Sequence, residues 1–248
     1  MKIGFRERRR GIIETILVAK RAEVARMSAT APLLPSRSPA GGVAEALARK
    51  AGEPLRVVAE IGSGKSRAEE DPGALAIACA NLGVAAIVVH TFAPLARCRD
   101  ALDEALGSRR PRLLCADFFL DPIQIDRAED AGADGVILIA RIVSRAMLAR
   151  LVDVARARGL TPIVDVATAA EVADARSIGA AILGVSGRDL RTMRADREVA
   201  MSLLPQIDHE AVAVLLAGIA TLADLAAVAD GRAEAALIAA ETLVEGRR

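Results

Sequence analysis

Few side chains of this chain are equipped for acid–base, nucleophilic or metal chemistry. His90 and His209 stand alone, and Cys79, Cys98 and Cys115 form no Cys-x-x-Cys pair. No cluster has zinc-ligand spacing, so no metal site is expected, and unpaired thiols point to a reducing, cytoplasmic setting. Carboxylates at the ends of apolar runs remain. Glu60 lies in Leu55–Ile61 and Asp165 in Pro162–Val166. Such a group works as a general acid or base, or pairs structurally with an arginine. His90 follows Val84–Val89 and faces the same choice between acid–base work and a hydrogen-bonded structural role. Arg188-Asp189 reads either as an anion contact or as an ion pair between loops. Cys115, inside an apolar run with no histidine near it in sequence, reads as a small filler rather than a nucleophile.

Lysine is scarce: it occurs at Lys2, Lys20, Lys50 and Lys65. The first three precede the first apolar run, so Lys65 is the one expected near a site. It falls in Ala59-Glu-Ile-Gly-Ser-Gly-Lys-Ser66, which satisfies a loose phosphate-loop pattern. The first position is Ala rather than Gly, and a helix starting at Lys65 would have to carry Pro72 in its interior. Nucleotide hydrolysis is therefore not the favoured reading.

The elements that position these residues repeat along the chain. A short apolar run rich in Val, Ile and Leu is followed by a segment with helical spacing, eight times between Leu55 and the C-terminus. The runs are Leu55–Ile61, Val84–Val89, Arg112–Cys115, Gly135–Ile139, Pro162–Val166, Ala181–Val185, Val212–Leu216 and Ala235–Ala239. Continuous apolar strands separated by single helices imply a parallel sheet with helices outside it, and eight units match an α/β (β/α)₈ TIM barrel. Helix Gly11–Met27, a Pro- and Ser-rich stretch over Ser28–Gly42 and a short helix Val43–Lys50 precede it. The expected organisation is one domain over 1–248, with residues 11–50 as a helical extension and linker and 55–246 as the barrel. In such a barrel the ligand site lies at the carboxyl ends of the strands.

Composition agrees. Of the 248 residues 53% are apolar but only 2% aromatic, so the core must be aliphatic, and base-stacking nucleic-acid modules are excluded. A formal charge of +1 gives no field that would draw the chain to a polyanion. No stretch reaches the length of a membrane span, and no signal-peptide apolar region follows the charged N-terminus.

Three segments resemble indole-3-glycerol phosphate synthase: Leu114-Cys-Ala-Asp-Phe-Phe-Leu-Asp-Pro-Ile-Gln-Ile125, Ala131-Gly-Ala-Asp-Gly-Val-Ile-Leu-Ile139 and Leu183-Gly-Val-Ser-Gly-Arg-Asp-Leu-Arg-Thr192. Ala59-Glu-Ile61, Ile163-Val-Asp-Val166 and Ala217-Gly-Ile219 extend the resemblance from about Ile12 to Leu243. It implies a barrel with an extra N-terminal helix, no cofactor, and a decarboxylating, dehydrating ring closure of a carboxyphenylamino-deoxyribulose phosphate in tryptophan synthesis. Glu60 matches the family's first-strand glutamate. Phe118, Arg188, Leu190 and Gly218 match substrate- or phosphate-contacting positions. Gly62 and Ala116 stand where the family has lysines, Asp165 where it has a glutamate, Ser186 where it has an asparagine, and Ala217 where it has a phosphate-loop serine. The candidate catalytic residues are thus Glu60, Asp165 and Lys65, and the candidate substrate contacts Phe118, Ser186, Arg188, Leu190 and Gly218. Losing positioned acids or cations costs on the order of 10² to 10⁴ in rate, so reduced or lost turnover is expected. The alternatives are an inactive barrel that binds a protein partner or its own copy, and a lyase or isomerase repurposed for another phosphorylated small molecule.

Overall fold

A computed structural model describes residues 11–28, 42–50, 52–62 and 71–246. Eight strands, each buried on both faces, form a closed parallel barrel: β1 (Arg56–Ile61), β2 (Ala86–His90), β3 (Arg112–Ala116), β4 (Gly135–Ile139), β5 (Thr161–Val166), β6 (Ile182–Val185), β9 (Val212–Leu215) and β10 (Ala235–Ala239). β10 pairs with β1, so no sheet edge is left exposed. Between β6 and β9 lies an antiparallel hairpin of two-residue strands, β7 (Arg188–Asp189) and β8 (Arg194–Ala195).

Period-two geometry divides the side chains of every strand. Val58, Ala86, Val88, Leu114, Ile137, Ile163, Ile182, Val214 and Leu237 fill the barrel interior, while Ile87, Val89, Leu113, Val136, Val164 and Leu183 pack beneath the surrounding helices. Those helices are α3 (Pro72–Asn81), α4 (Phe92–Leu106), α5 (Ile123–Asp130), α6 (Arg145–Ala157), α7 (Ala169–Ser177), α8 (Arg197–Leu203), α9 (Leu222–Ala227) and α10 (Ala240–Glu245). Each fully buried Leu, Ile or Val contributes roughly 1.5–3 kcal/mol, and two aliphatic layers of this kind need no aromatic residues. The short helix α2 (Val43–Leu47) buries Val43 and Leu47 completely and plugs the interior from the N-terminal end of the strands. That plug leaves the opposite end as the open one.

Local chemistry sets the helix starts. Asp71 caps α3, accepting from the amides of Gly73 and Ala74, and Pro72 takes the first helical position, where a missing N–H costs nothing. α4 begins at Phe92, earlier than Pro94 suggests from sequence, because a proline in the first turn has no intrahelical donor to lose. Between β3 and β4, the carboxylate of buried Asp134 accepts from the Leu113 amide at 2.7 Å and from both terminal nitrogens of Arg110 at 2.6 and 3.2 Å. The helix α1 (Ile12–Ser28) lies against α5. Among the described residues no helix is long and apolar enough to cross a membrane.

Candidate functional site

The last inward-facing position of each strand, or of the turn that follows it, lies at the open end. Strand alternation that points Val58 inward also points Glu60 inward. In the same way Val88 leads to His90, Leu114 to Ala116, Ile137 to Ile139 and Arg141, Ile163 to Asp165, and Leu216 to Gly218. All of these line one cavity of about 600 Å³, which Phe118, Ser186, Arg188 and Leu190 also line and which Ile16 of α1 reaches from above. Of the residues proposed from sequence, Glu60, Asp165, Phe118, Ser186, Arg188, Leu190 and Gly218 are therefore brought together. Lys65 lies outside the described residues.

An imidazole–carboxylate contact and a guanidinium–carboxylate pair stand on opposite walls. On the β1–β2 side, His90 Nε2 and Glu60 Oε1 are 2.9 Å apart. On the β4–β6 side, Arg141 Nη2 donates to Asp165 Oδ2 and to Ser186 Oγ, both at 3.1 Å. Arg141 Nη1 reaches Glu171 Oε2 at 3.5 Å, and that same oxygen accepts from the Ala167 amide. Arg141 and Asp165 are largely out of solvent, with side chains 14% and 9% exposed. Burial raises the Asp165 carboxyl above its ordinary range, against the opposing pull of the Arg141 charge and of hydrogen bonds from Ser186 and Arg141. Among the described residues, Asp165 Oδ1 and Arg141 Nε are buried without a hydrogen-bond partner.

Arg141 was not singled out by sequence reasoning, although it stands two residues past the apolar strand β4. Its partners are 24 and 45 residues away, so nothing local marks it. Lys20 corrects the expectation that a lysine before the barrel stays away from the site. α1 carries it over the mouth, where Nζ lies 2.9 Å from Asp117 and 2.7 Å from Glu23. Its charge is spent on those two carboxylates.

The remaining contacts are held from beneath. Buried Gln124 accepts from the Leu120 and Asp121 amides and donates to the Phe118 carbonyl at 2.9 Å, fixing the loop that presents Phe118. Arg188 does not pair with Asp189. Its Nη1 donates to the Met193 carbonyl across the hairpin at 2.9 Å, and its amide donates to Ser186 Oγ. Gly218 has φ +87°, and a Cβ there would stand 2.7 Å from Arg197 Cβ, so the turn after β9 admits only glycine. The Ala220 and Thr221 amides beyond it are taken by Asp224, whereas no side chain caps the first turn of α10 at Ala239.

An aliphatic (β/α)₈ barrel plugged at one end, with acids and guanidinium groups converging at the other, defines a ligand-binding or catalytic barrel of the usual polarity. The family model for indole-3-glycerol phosphate synthase matches residues 13–246, and the chain belongs to that family. The enzyme of that name from Rhodococcus jostii (strain RHA1) is 30% identical, over 95% of this chain and 91% of its own length. That of Acaryochloris marina (strain MBIC 11017) is 33% identical, over 95% of this chain and 83% of its own length. Among solved structures, N-acetylmannosamine-6-phosphate 2-epimerase from Clostridium perfringens superposes with a TM-score of 0.58 at 15% identity, covering 86% of this chain and 96% of that one, a likeness of fold alone.

Proposed function

We propose that this protein performs the ring closure of its family on a carboxyphenylamino-deoxyribulose phosphate, with turnover reduced from that of lysine-bearing members. The observation that carries the reading is the convergence of Glu60, Asp165 and Arg141 on one open cavity, whose volume suits a small phosphorylated ligand. In this reading Glu60 and Asp165 move protons and Arg141 orients Asp165. Phe118 and Leu190 cover the aromatic ring. Arg188 and the backbone from Gly218 to Ile219, facing the uncapped start of α10, receive the phosphate. No cofactor or metal is called for. Reduced turnover follows from Gly62 and Ala116 at the lysine positions. Gly62 has φ +89°, a conformation that a residue with a side chain rarely adopts.

The ring-closure assay tests this directly. Indole product should form at a rate on the order of 10² to 10⁴ below a lysine-bearing relative assayed in parallel, and Glu60→Gln should lower it further. Product no faster than the uncatalysed background would refute it. One observation favours a second reading, a barrel that binds the ligand without turning it over: Asp165 Oδ2 accepts from the Arg141 guanidinium at 3.1 Å and is thereby kept from a substrate proton. Tight binding of a carbonyl-reduced substrate analogue with no turnover would establish that reading instead.

A further inference from the structure

His90 lies between the two positions where the resemblance places the absent lysines. In the β2–β3 register it is directly opposite Ala116. On its other side, a Cβ built on Gly62 would sit 3.5 Å from His90 Cβ. Both small residues and the imidazole line the same cavity, so the ring stands beside space that two long cationic side chains would otherwise fill. Its orientation is set: Nε2 is bound to Glu60 Oε1 at 2.9 Å, and among the described residues the ring makes no other hydrogen bond. Nδ1 is therefore the nitrogen left for a ligand.

We propose that His90, oriented by Glu60, serves in place of the two lysines as the proton donor to the reacting carbonyl oxygen. This rests on the ring-closure reading above. As the new carbon–carbon bond forms, the C=O π electron pair moves onto oxygen. The imidazolium Nδ1–H bond breaks, its proton passes to that oxygen, and its electron pair stays on the ring. The neutral imidazole keeps its Nε2–H directed at the Glu60 carboxylate. A histidine is suited to this step because it changes charge near neutral pH, and a carboxylate on its far nitrogen holds the tautomer. The other ionisable side chains facing the cavity are Asp117, neutralised by Lys20 from α1, together with Asp165, Arg141 and Arg188. Of these and Glu60, Glu60 alone is hydrogen-bonded to the imidazole.

The test joins turnover to direct observation of the imidazole. His90→Gln should lower kcat by about 10²-fold while shifting KM little, and Ala116→Lys added to it should restore at least about tenfold of the loss by returning a cation to the adjacent strand position. If the wild type turns over and His90→Gln matches it, or if the loss is not rescued by Ala116→Lys, the proposal is overturned while the ring-closure reading stands. If the wild type shows no turnover, the ring-closure reading falls, and imidazole NMR signals decide the placement of His90. With only two histidines in the chain, the signals are assigned by single substitution. Movement of the His90 signals on adding the carbonyl-reduced analogue, with His209 unmoved, supports His90 as the group facing the reacting oxygen. Unmoved His90 signals overturn it.

Discussion

Asp165 shows how far the surroundings of a single residue determine its chemistry. A strand-end carboxylate read from sequence is equally a base or a structural acid. In the fold it is buried on the cavity wall, with one oxygen held by Arg141 and the other, among the described residues, without a hydrogen-bond partner. Burial raises its folded pKa, so the native state holds the proton more tightly than the unfolded chain. A raised carboxyl pKa contributes stability that is present below the unfolded value, near 3.9, and is lost as pH rises through the folded value. Asp165→Asn removes that loss. Urea unfolding at pH 4 and pH 7 should therefore show the wild type losing ground to the variant as pH rises; a wild type that gains on it would contradict the burial argument. Glu60, Asp165 and the placement of His90 at the mouth were legible in sequence, because each lies at or next to the end of a continuous apolar run. Arg141 was not, since its importance comes from partners on other strands.

At the scale of elements, alternation of apolar runs and helical spacing predicted all eight barrel strands, most to within a residue or two. The misses have local causes. The β7–β8 hairpin has strands of two residues each, too short for any periodicity. α4 starts at Phe92, two residues before Pro94, because a proline is tolerated in the first turn. α1 was readable as a helix, but its docking was not, because the contact that pins it joins residues 97 apart. Both partners are nearly inaccessible, with Lys20 11% and Asp117 4% exposed at the side chain. Lys20→Met leaves Asp117 buried and uncompensated, so protection of α1 from proteolysis should fall by on the order of 10²-fold. The double variant Lys20→Met/Asp117→Asn should recover much of it. Equal protection in wild type and Lys20→Met would show that the pair does not hold the helix.

For the whole molecule, packing of the helices on the barrel buries all three cysteines, Cys79 on α3, Cys98 on α4 and Cys115 on β3. Burial pushes the Cys79 and Cys98 thiols up to about 12 and raises Cys115 as well. Nucleophilic thiolate is scarce under such conditions. At pH 8 a disulfide reagent such as dithiobis(nitrobenzoate) should titrate none of the three rapidly in the folded protein and all three in denaturant; a fast-reacting native thiol would show that the outer layer opens. By itself the sequence determined the strand–helix alternation, the aliphatic core, the family, and which residues end strands, because these follow from local periodicity and residue type. The tertiary structure decided which charges meet. Closing eight strands into a ring puts residues 24 to 97 positions apart on one mouth, pairing Arg141 with Asp165, carrying Lys20 to Asp117, and seating His90 against Glu60 beside the empty lysine positions. Electrostatic pairing depends on distance through space, and only the closed fold sets that distance.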